Sequence, residues 1–90
     1  MTESTEPDAA NEIVVYWRPG CGLCRSLRQQ LDQHVIPHRL VNIWEDDDAA
    51  AMVRSVARGY ETVPTVVIGD VALVNPTIGD VLAAAAEYAI

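Results

Sequence analysis

Two β-branched runs enclose an amphipathic stretch near the start of the chain, and this arrangement constrains the fold more than any other feature. Residues 12–16 read Glu-Ile-Val-Val-Tyr, a buried strand. Trp17-Arg18-Pro19-Gly20 breaks it. Residues 21–35 then place Cys24, Leu27, Leu31 and Val35 three or four apart, which makes one face of a helix. Ile36-Pro37 ends that helix. Residues 39–43, Arg-Leu-Val-Asn-Ile, read as a second strand. Strand, helix and strand in that order imply a parallel pair joined by a crossover.

The rest of the chain extends the same plan. Residues 46–58 form a helix with acids in its first turn, where they complement the helix dipole, and Gly59 stops it. Ala49, Met52, Val53 and Val56 supply its inner stripe. Residues 64–68 and 71–74 are apolar runs separated by Gly69-Asp70, the signature of an antiparallel hairpin. Asn75 is the expected cap of a last helix, with Pro76 at its first position and Tyr88 or Ala89 closing its apolar side. The predicted order is β-α-β-α-β-β-α: an α/β domain on one mixed four-stranded sheet over residues 12–90, after a flexible tail at residues 1–11.

Charge narrows the function. The formal net charge is −7, and the six cations are all arginine. A nucleic-acid binder needs a basic face to neutralise phosphates, and an anionic membrane surface makes the same demand. Neither partner is expected. The stretch MTESTEPDAANE has no cationic segment and no apolar core of a leader. A cytoplasmic location is therefore the expectation, and a monomer the simplest assembly.

The two cysteines of the chain are Cys21 and Cys24. Such a pair can close a disulfide, hold half of a metal site, or act as a redox nucleophile and its partner. In a reducing compartment the last two roles are favoured over a structural disulfide. Cys21 falls at the start of the first helix, where unpaired N–H groups and the positive dipole end stabilise an anion such as a thiolate. Arg18 adds positive charge nearby. Gly20 and Gly22 keep side chains away from an incoming substrate. Cys24 lies one turn further in, on the core face. One exposed thiol and one buried behind it form the asymmetry that disulfide exchange uses.

A second element is Glu61-Thr62-Val63-Pro64. Proline opening an inner strand lacks the N–H for a ladder bond. One way to place it is a cis bond beside the helix that carries Cys21. That bond would turn the Val63 backbone outward to pair with a substrate as a short strand would.

Arg18-Pro19-Gly20-Cys21-Gly22-Leu23-Cys24 resembles the Lys-Pro-x-Cys-Pro-Tyr-Cys of the glutaredoxin family, which has the thioredoxin fold. Arg18 stands in the lysine place. The pair also resembles the Cys-Gly-Tyr-Cys of the family's actinobacterial mycoredoxins, as does Thr62-Val63-Pro64-Thr65 followed by a hairpin and Asn75-Pro76-Thr77. The likeness covers residues 12–89. It implies a thiol–disulfide oxidoreductase acting on mixed disulfides between proteins and a low-molecular-weight thiol. Cys21 is then the nucleophile, Cys24 the resolving thiol, and Pro64 is cis. Thiol-substrate contacts fall on Arg18, Gly22, Leu23, Thr62, Val63, Pro64, Asn75 and Thr77. A disulfide reductase for the small thiol is the implied partner, and no metal is required.

Two departures from the family pattern shape the expectation. Glutathione-binding members usually carry Gly-Gly and then Ser or an Asp-type residue before the last helix. Here that stretch is Val74-Asn75-Pro76-Thr77-Ile78-Gly79-Asp80. This favours mycothiol over glutathione as the co-substrate. The aromatic between the cysteines is replaced by Leu23, with Trp17 as a candidate flat surface. Related redoxins take electrons from thioredoxin reductase and serve ribonucleotide reductase, but the Trp-Ser-Gly-Phe-Arg-Pro-like segment they carry has no match here.

The non-enzymatic alternative is a zinc or iron–sulfur module. His34 and His38 complete C-x2-C-x9-H-x3-H, a gap too short for the zinc-finger hairpin and interrupted by Pro37. Trp44 reads as a helix-entry staple against the second helix, with a substrate platform as its functional alternative. Arg54 and Arg58 could reach a ligand carboxylate or pair with nearby acids.

Overall fold

The computed structural model describes residues 12–88. The tail expected at residues 1–11 and the helix position expected at Ala89 lie outside the described residues. The elements are β1 (Ile13–Trp17), α1 (Gly22–Gln33), β2 (Arg39–Asn42), α2 (Asp47–Val56), β3 (Thr65–Ile68), β4 (Val71–Val74) and α3 (Ile78–Glu87). The sheet order is β2-β1-β3-β4. β1 runs parallel to β2 and antiparallel to β3, and β3 runs antiparallel to β4. This is the mixed four-stranded α/β sheet that the sequence predicts.

Strand alternation divides the core. Ile13 and Val15 of β1 and Val66 and Ile68 of β3 meet Leu27 and Leu31 of α1 and Val81 and Ala85 of α3. A second cluster joins Cys24, Ile43 and Val63 to Ala49, Ala50 and Val53 of α2. The cysteine helix therefore bridges both clusters: its middle is anchored in one, its first turn in the other. The Gly69-Asp70 turn forms as expected, with Ile68 opposite Val71. Gly69 has φ +59°, the sign that a two-residue hairpin turn needs at its first central position. The Tyr88 ring lies over Gly69, and its hydroxyl donates to the Asp70 carboxylate. That contact ties the end of α3 to the hairpin.

Three helix ends differ from expectation, each for a local reason. α1 stops at Gln33, and Val35, expected on its inner face, is 83% exposed with φ +54°. The N–H groups of Val35 and Ile36 return to the carbonyls of Asp32 and Leu31 at 3.0 and 2.9 Å, a Schellman closure that directs the chain toward β2. α2 ends at Val56, with Arg58 in the left-handed region (φ +59°) and Gly59 N–H on the Arg54 carbonyl. Before α3 the cap is Thr77, not Asn75. Thr77 Oγ1 accepts the Asp80 N–H at 3.1 Å while the Asp80 carboxylate accepts the Thr77 N–H at 3.0 Å. This reciprocal capping box satisfies two N–H groups and outcompetes a start at Pro76.

Val35 is a β-branched residue in a position that suits glycine. Val35→Gly is expected to stabilise the protein by about 1 kcal/mol, raising Tm by roughly 4–8 °C in a thermal melt.

Candidate active site

The site assembles where the end of β1, the start of α1 and the start of β3 meet. Gly20 permits the turn between β1 and α1, with φ +82°. Cys21 then caps α1: its Sγ accepts the Cys24 backbone N–H at 3.1 Å, the bond a serine cap would make. A negative sulfur at this position sits on a backbone donor at the positive end of the helix. Cys21 is half-buried, and a side chain at the neighbouring Gly22 would meet nothing, so there is open space beside it.

Cys24 is different in kind. It is 1% exposed, and both cysteines are free thiols. Burial pushes the Cys24 thiol up to about 12, and its hydrogen bond with Cys21 adds to this. The Arg18 backbone and guanidinium pull it the other way. At neutral pH Cys24 therefore keeps its proton. The Arg18 guanidinium also lies 5.9 Å over the ring of Trp44.

Trp44 is thus not a staple against α2. It is 61% exposed, and the α2 cap is Asp46, which leaves Trp44 two positions before it. A staple needs the position directly before the cap. Trp17 packs partly against the α2-side core and carries the Arg28 guanidinium 5.4 Å over its ring, so its ring face is occupied. Arg54 pairs with Glu61 at the surface.

The third strand reaches the site as expected. The Val63–Pro64 bond is cis. The Val63 carbonyl is turned toward Cys21, 3.8 Å from Sγ. The Thr62 carbonyl is taken by the Thr65 hydroxyl at 2.8 Å, which shapes the bend before β3. Asn75, at φ +51°, donates its backbone N–H to the Pro64 carbonyl at 2.8 Å. This bond brings the loop before α3 alongside Pro64.

Between that loop and α1 runs a cavity of about 390 Å³. Leu23, Pro64, Asn75 and Thr77, all expected at a thiol site, line it. Ser26, Leu27, Gln30, Pro76 and Ile78 line it too and were not expected. The helical spacing of Leu23, Ser26, Leu27 and Gln30 was available as a signal, since residues three and four apart share a face. Nothing local says that the α3 loop lies across from it. None of the lining residues is charged.

Among the described residues no three or more His, Cys, Asp or Glu side chains converge as metal ligands. His34 is an exposed helix end, and His38 bonds the Ile36 carbonyl at 2.8 Å, so the zinc-like spacing does not gather in space. No helix among the described residues is long and apolar enough to cross a membrane.

Comparison with known proteins agrees with this architecture. The Glutaredoxin family model matches residues 13–73. Mycoredoxin 1 of Corynebacterium glutamicum is 32% identical over 74 residues, covering 81% of this chain and 91% of the relative. A glutaredoxin of Ricinus communis is 31% identical over 71 residues, covering 77% of this chain and 70% of the relative. The crystal structure of a glutaredoxin from Archaeoglobus fulgidus superposes with a TM-score of 0.67 at 20% identity, covering 89% of this chain and 91% of that one. The last of these speaks to the fold, whereas the family model and the two relatives speak to descent and chemistry. On their agreement the chain belongs to the glutaredoxin family of thiol–disulfide oxidoreductases.

Proposed function

We propose that this protein reduces mixed disulfides between proteins and mycothiol, with Cys21 as the attacking sulfur. The Cys21 thiolate attacks the mycothiol sulfur of the mixed disulfide. The old S–S bond breaks, and the protein leaves as a thiolate that takes up a proton. Cys21 is left in a disulfide with mycothiol. The thiolate of a second mycothiol attacks the sulfur of the bound one, releasing mycothiol disulfide and restoring Cys21. The exchange conserves disulfides: the mixed disulfide and one free mycothiol become one protein thiol and one mycothiol disulfide, and the free mycothiol is the reductant. The same intermediate can resolve internally. Cys24, once deprotonated, attacks Cys21 Sγ and expels mycothiol, leaving a Cys21–Cys24 disulfide.

The geometry supports unequal roles. Cys21 accepts a backbone N–H and is partly exposed, while Cys24 is buried and protonated at neutral pH. Arg18, Gly22 and Leu23 are assigned to the sulfur's side of the small thiol, and Val63 offers backbone to the incoming disulfide, flanked by Thr62 and Pro64, whose carbonyls are bonded to Thr65 and Asn75. Asn75 and Thr77 hold the far side of the thiol. This reading puts the activity in a monomer in the cytoplasm, where a reductase returns the small disulfide to thiol.

One observation carries the choice of mycothiol: the cavity beside Pro64 has no charged lining residue. Glutathione would bring two carboxylates and an ammonium to that wall, each needing a partner when its water is removed. Mycothiol carries an uncharged sugar and inositol beyond its cysteinyl part. The protein's charge of −7 also repels an anionic thiol at long range.

The test is a side-by-side turnover assay with one peptide carried as its mycothiol or its glutathione mixed disulfide. The expected kcat/KM with mycothiol is at least about tenfold higher, the discrimination of one unpaired buried charge. Equal rates would remove the mycothiol reading. Steady NADPH use with thioredoxin reductase and no added small thiol would replace it with the ribonucleotide-reductase redoxin.

A further inference from the structure

Neither cysteine lines the cavity, which begins at Leu23, between the two in the chain, and at Pro64. From Leu23 and Pro64 it continues along α1, with Ser26 and Gln30 on one wall and Thr77 and Ile78 on the other. Counting the helical rise, Ser26 lies about 7.5 Å and Gln30 about 13.5 Å along α1 from Cys21. That distance exceeds the reach of a bare cysteinyl amide and suits a cysteinyl group bearing two rings.

The wall has a specific chemistry. Ser26 and Gln30 offer a hydroxyl and an amide, each both donor and acceptor. Among the described residues neither side chain takes a protein partner, unlike Ser55 and Thr65, whose hydroxyls are bonded to the carbonyls of Met52 and Thr62. Leu27 and Ile78 add apolar surface to the cavity. Neutral hydrogen-bonding groups together with apolar surface suit a polyhydroxylated ring, which presents hydroxyls at its rim and C–H groups on its face. At about 390 Å³ the cavity falls in the size range of small-molecule sites, roughly 300–1,000 Å³.

We infer that Ser26 and Gln30 form a subsite for the uncharged, hydroxyl-rich far end of the small thiol, and that this subsite discriminates among thiols sharing a cysteinyl end. The inference rests on the reading of mycothiol as co-substrate. Ser26 and Gln30 are specificity residues: they touch the co-substrate away from the reacting sulfur and act on its binding.

The experiment compares the full chain with a Ser26→Ala/Gln30→Ala variant. One peptide is supplied as its mixed disulfide with mycothiol or with N-acetylcysteinamide, which keeps the cysteinyl end and lacks the rings. The measured quantity is the ratio of kcat/KM for the two substrates. The parent protein is expected to favour mycothiol, and the variant to lose about tenfold of that ratio through KM, as expected for losing one or two hydrogen bonds to ligand. Using a ratio cancels any general loss from altered folding, and alanine suits both helical positions. A parent that favours mycothiol and a variant that keeps the full ratio would overturn the subsite while leaving the mycothiol reading intact. A parent with no preference for mycothiol over N-acetylcysteinamide, and none over glutathione, would overturn both.

Discussion

Cys21→Ser is expected to abolish turnover of a mycothiol mixed disulfide, a loss of roughly 10³-fold or more, while Cys24→Ser stays within roughly threefold of the parent. The difference follows from where the two sulfurs sit. Cys21 is partly exposed and accepts the Cys24 N–H at the start of α1. Serine is a favoured cap, so Cys21→Ser keeps that hydrogen bond and the helix with it. Its alkoxide, unlike a thiolate, is not accessible near neutral pH. The loss therefore reports chemistry and not folding, which circular dichroism of the variant checks. Cys24 is 1% exposed and protonated at neutral pH, so a second small thiol can reach the captured one more readily than Cys24 can attack it. Equal loss in both variants would make internal resolution obligatory and remove the two-thiol cycle.

Leu31→Ala is expected to lower stability by about 2–5 kcal/mol, a drop of roughly 10–30 °C in Tm. Leu31 is fully buried, and it stands with Leu27 against Ile13, Val15, Val66 and Ile68. Truncation there removes apolar surface from water-free packing and opens a cavity between α1 and the central strands. A domain of this size holds about 5–10 kcal/mol in total, so one such cut uses much of it. The first turn of α1 is anchored separately, through Cys24 in the α2-side cluster. Below its lowered Tm the variant is therefore expected to keep the ratio of mycothiol to glutathione turnover. A thermal melt with Tm within 3 °C of the parent, at roughly 1 kcal/mol or less, would show that α1 is held in some other way.

Much of this molecule is legible in its sequence. Leu27 and Leu31 share a helical face with Cys24 in the sequence, and all three are buried. The β-branched run at Ile13–Val15 is buried throughout and sits in the middle of the sheet, and Gly69-Asp70 turns the hairpin in two residues. Pro64 at the head of an inner strand signalled an unusual bond, and that bond is cis. These are short-range patterns, and short-range physics decides them.

The failures have a different origin. Val35 continued the apolar spacing of α1, yet backbone closure onto Leu31 and Asp32 decided where the helix ends. Asn75 looked like a cap, but its N–H is held by Pro64 from the neighbouring strand, and Thr77 with Asp80 caps instead. Ser26 and Gln30 are not among the residues the sequence singles out. They line a cavity because a loop more than forty residues away in the chain packs across from them. Likewise, Trp44 beneath Arg18 joins two separate loops. Single-position propensity carries no information about such meetings.

The central claim is that the small thiol is captured on Cys21 at the start of α1. The most direct measurement is the intact mass and peptide map of the Cys24→Ser variant, quenched in acid after mixing with a peptide–mycothiol mixed disulfide. The expected result is one mycothiol per chain, bonded to Cys21, with one free peptide thiol released for each adduct. Attachment of the peptide itself to Cys21, or reduction of the peptide without any mycothiol on Cys21, would contradict it.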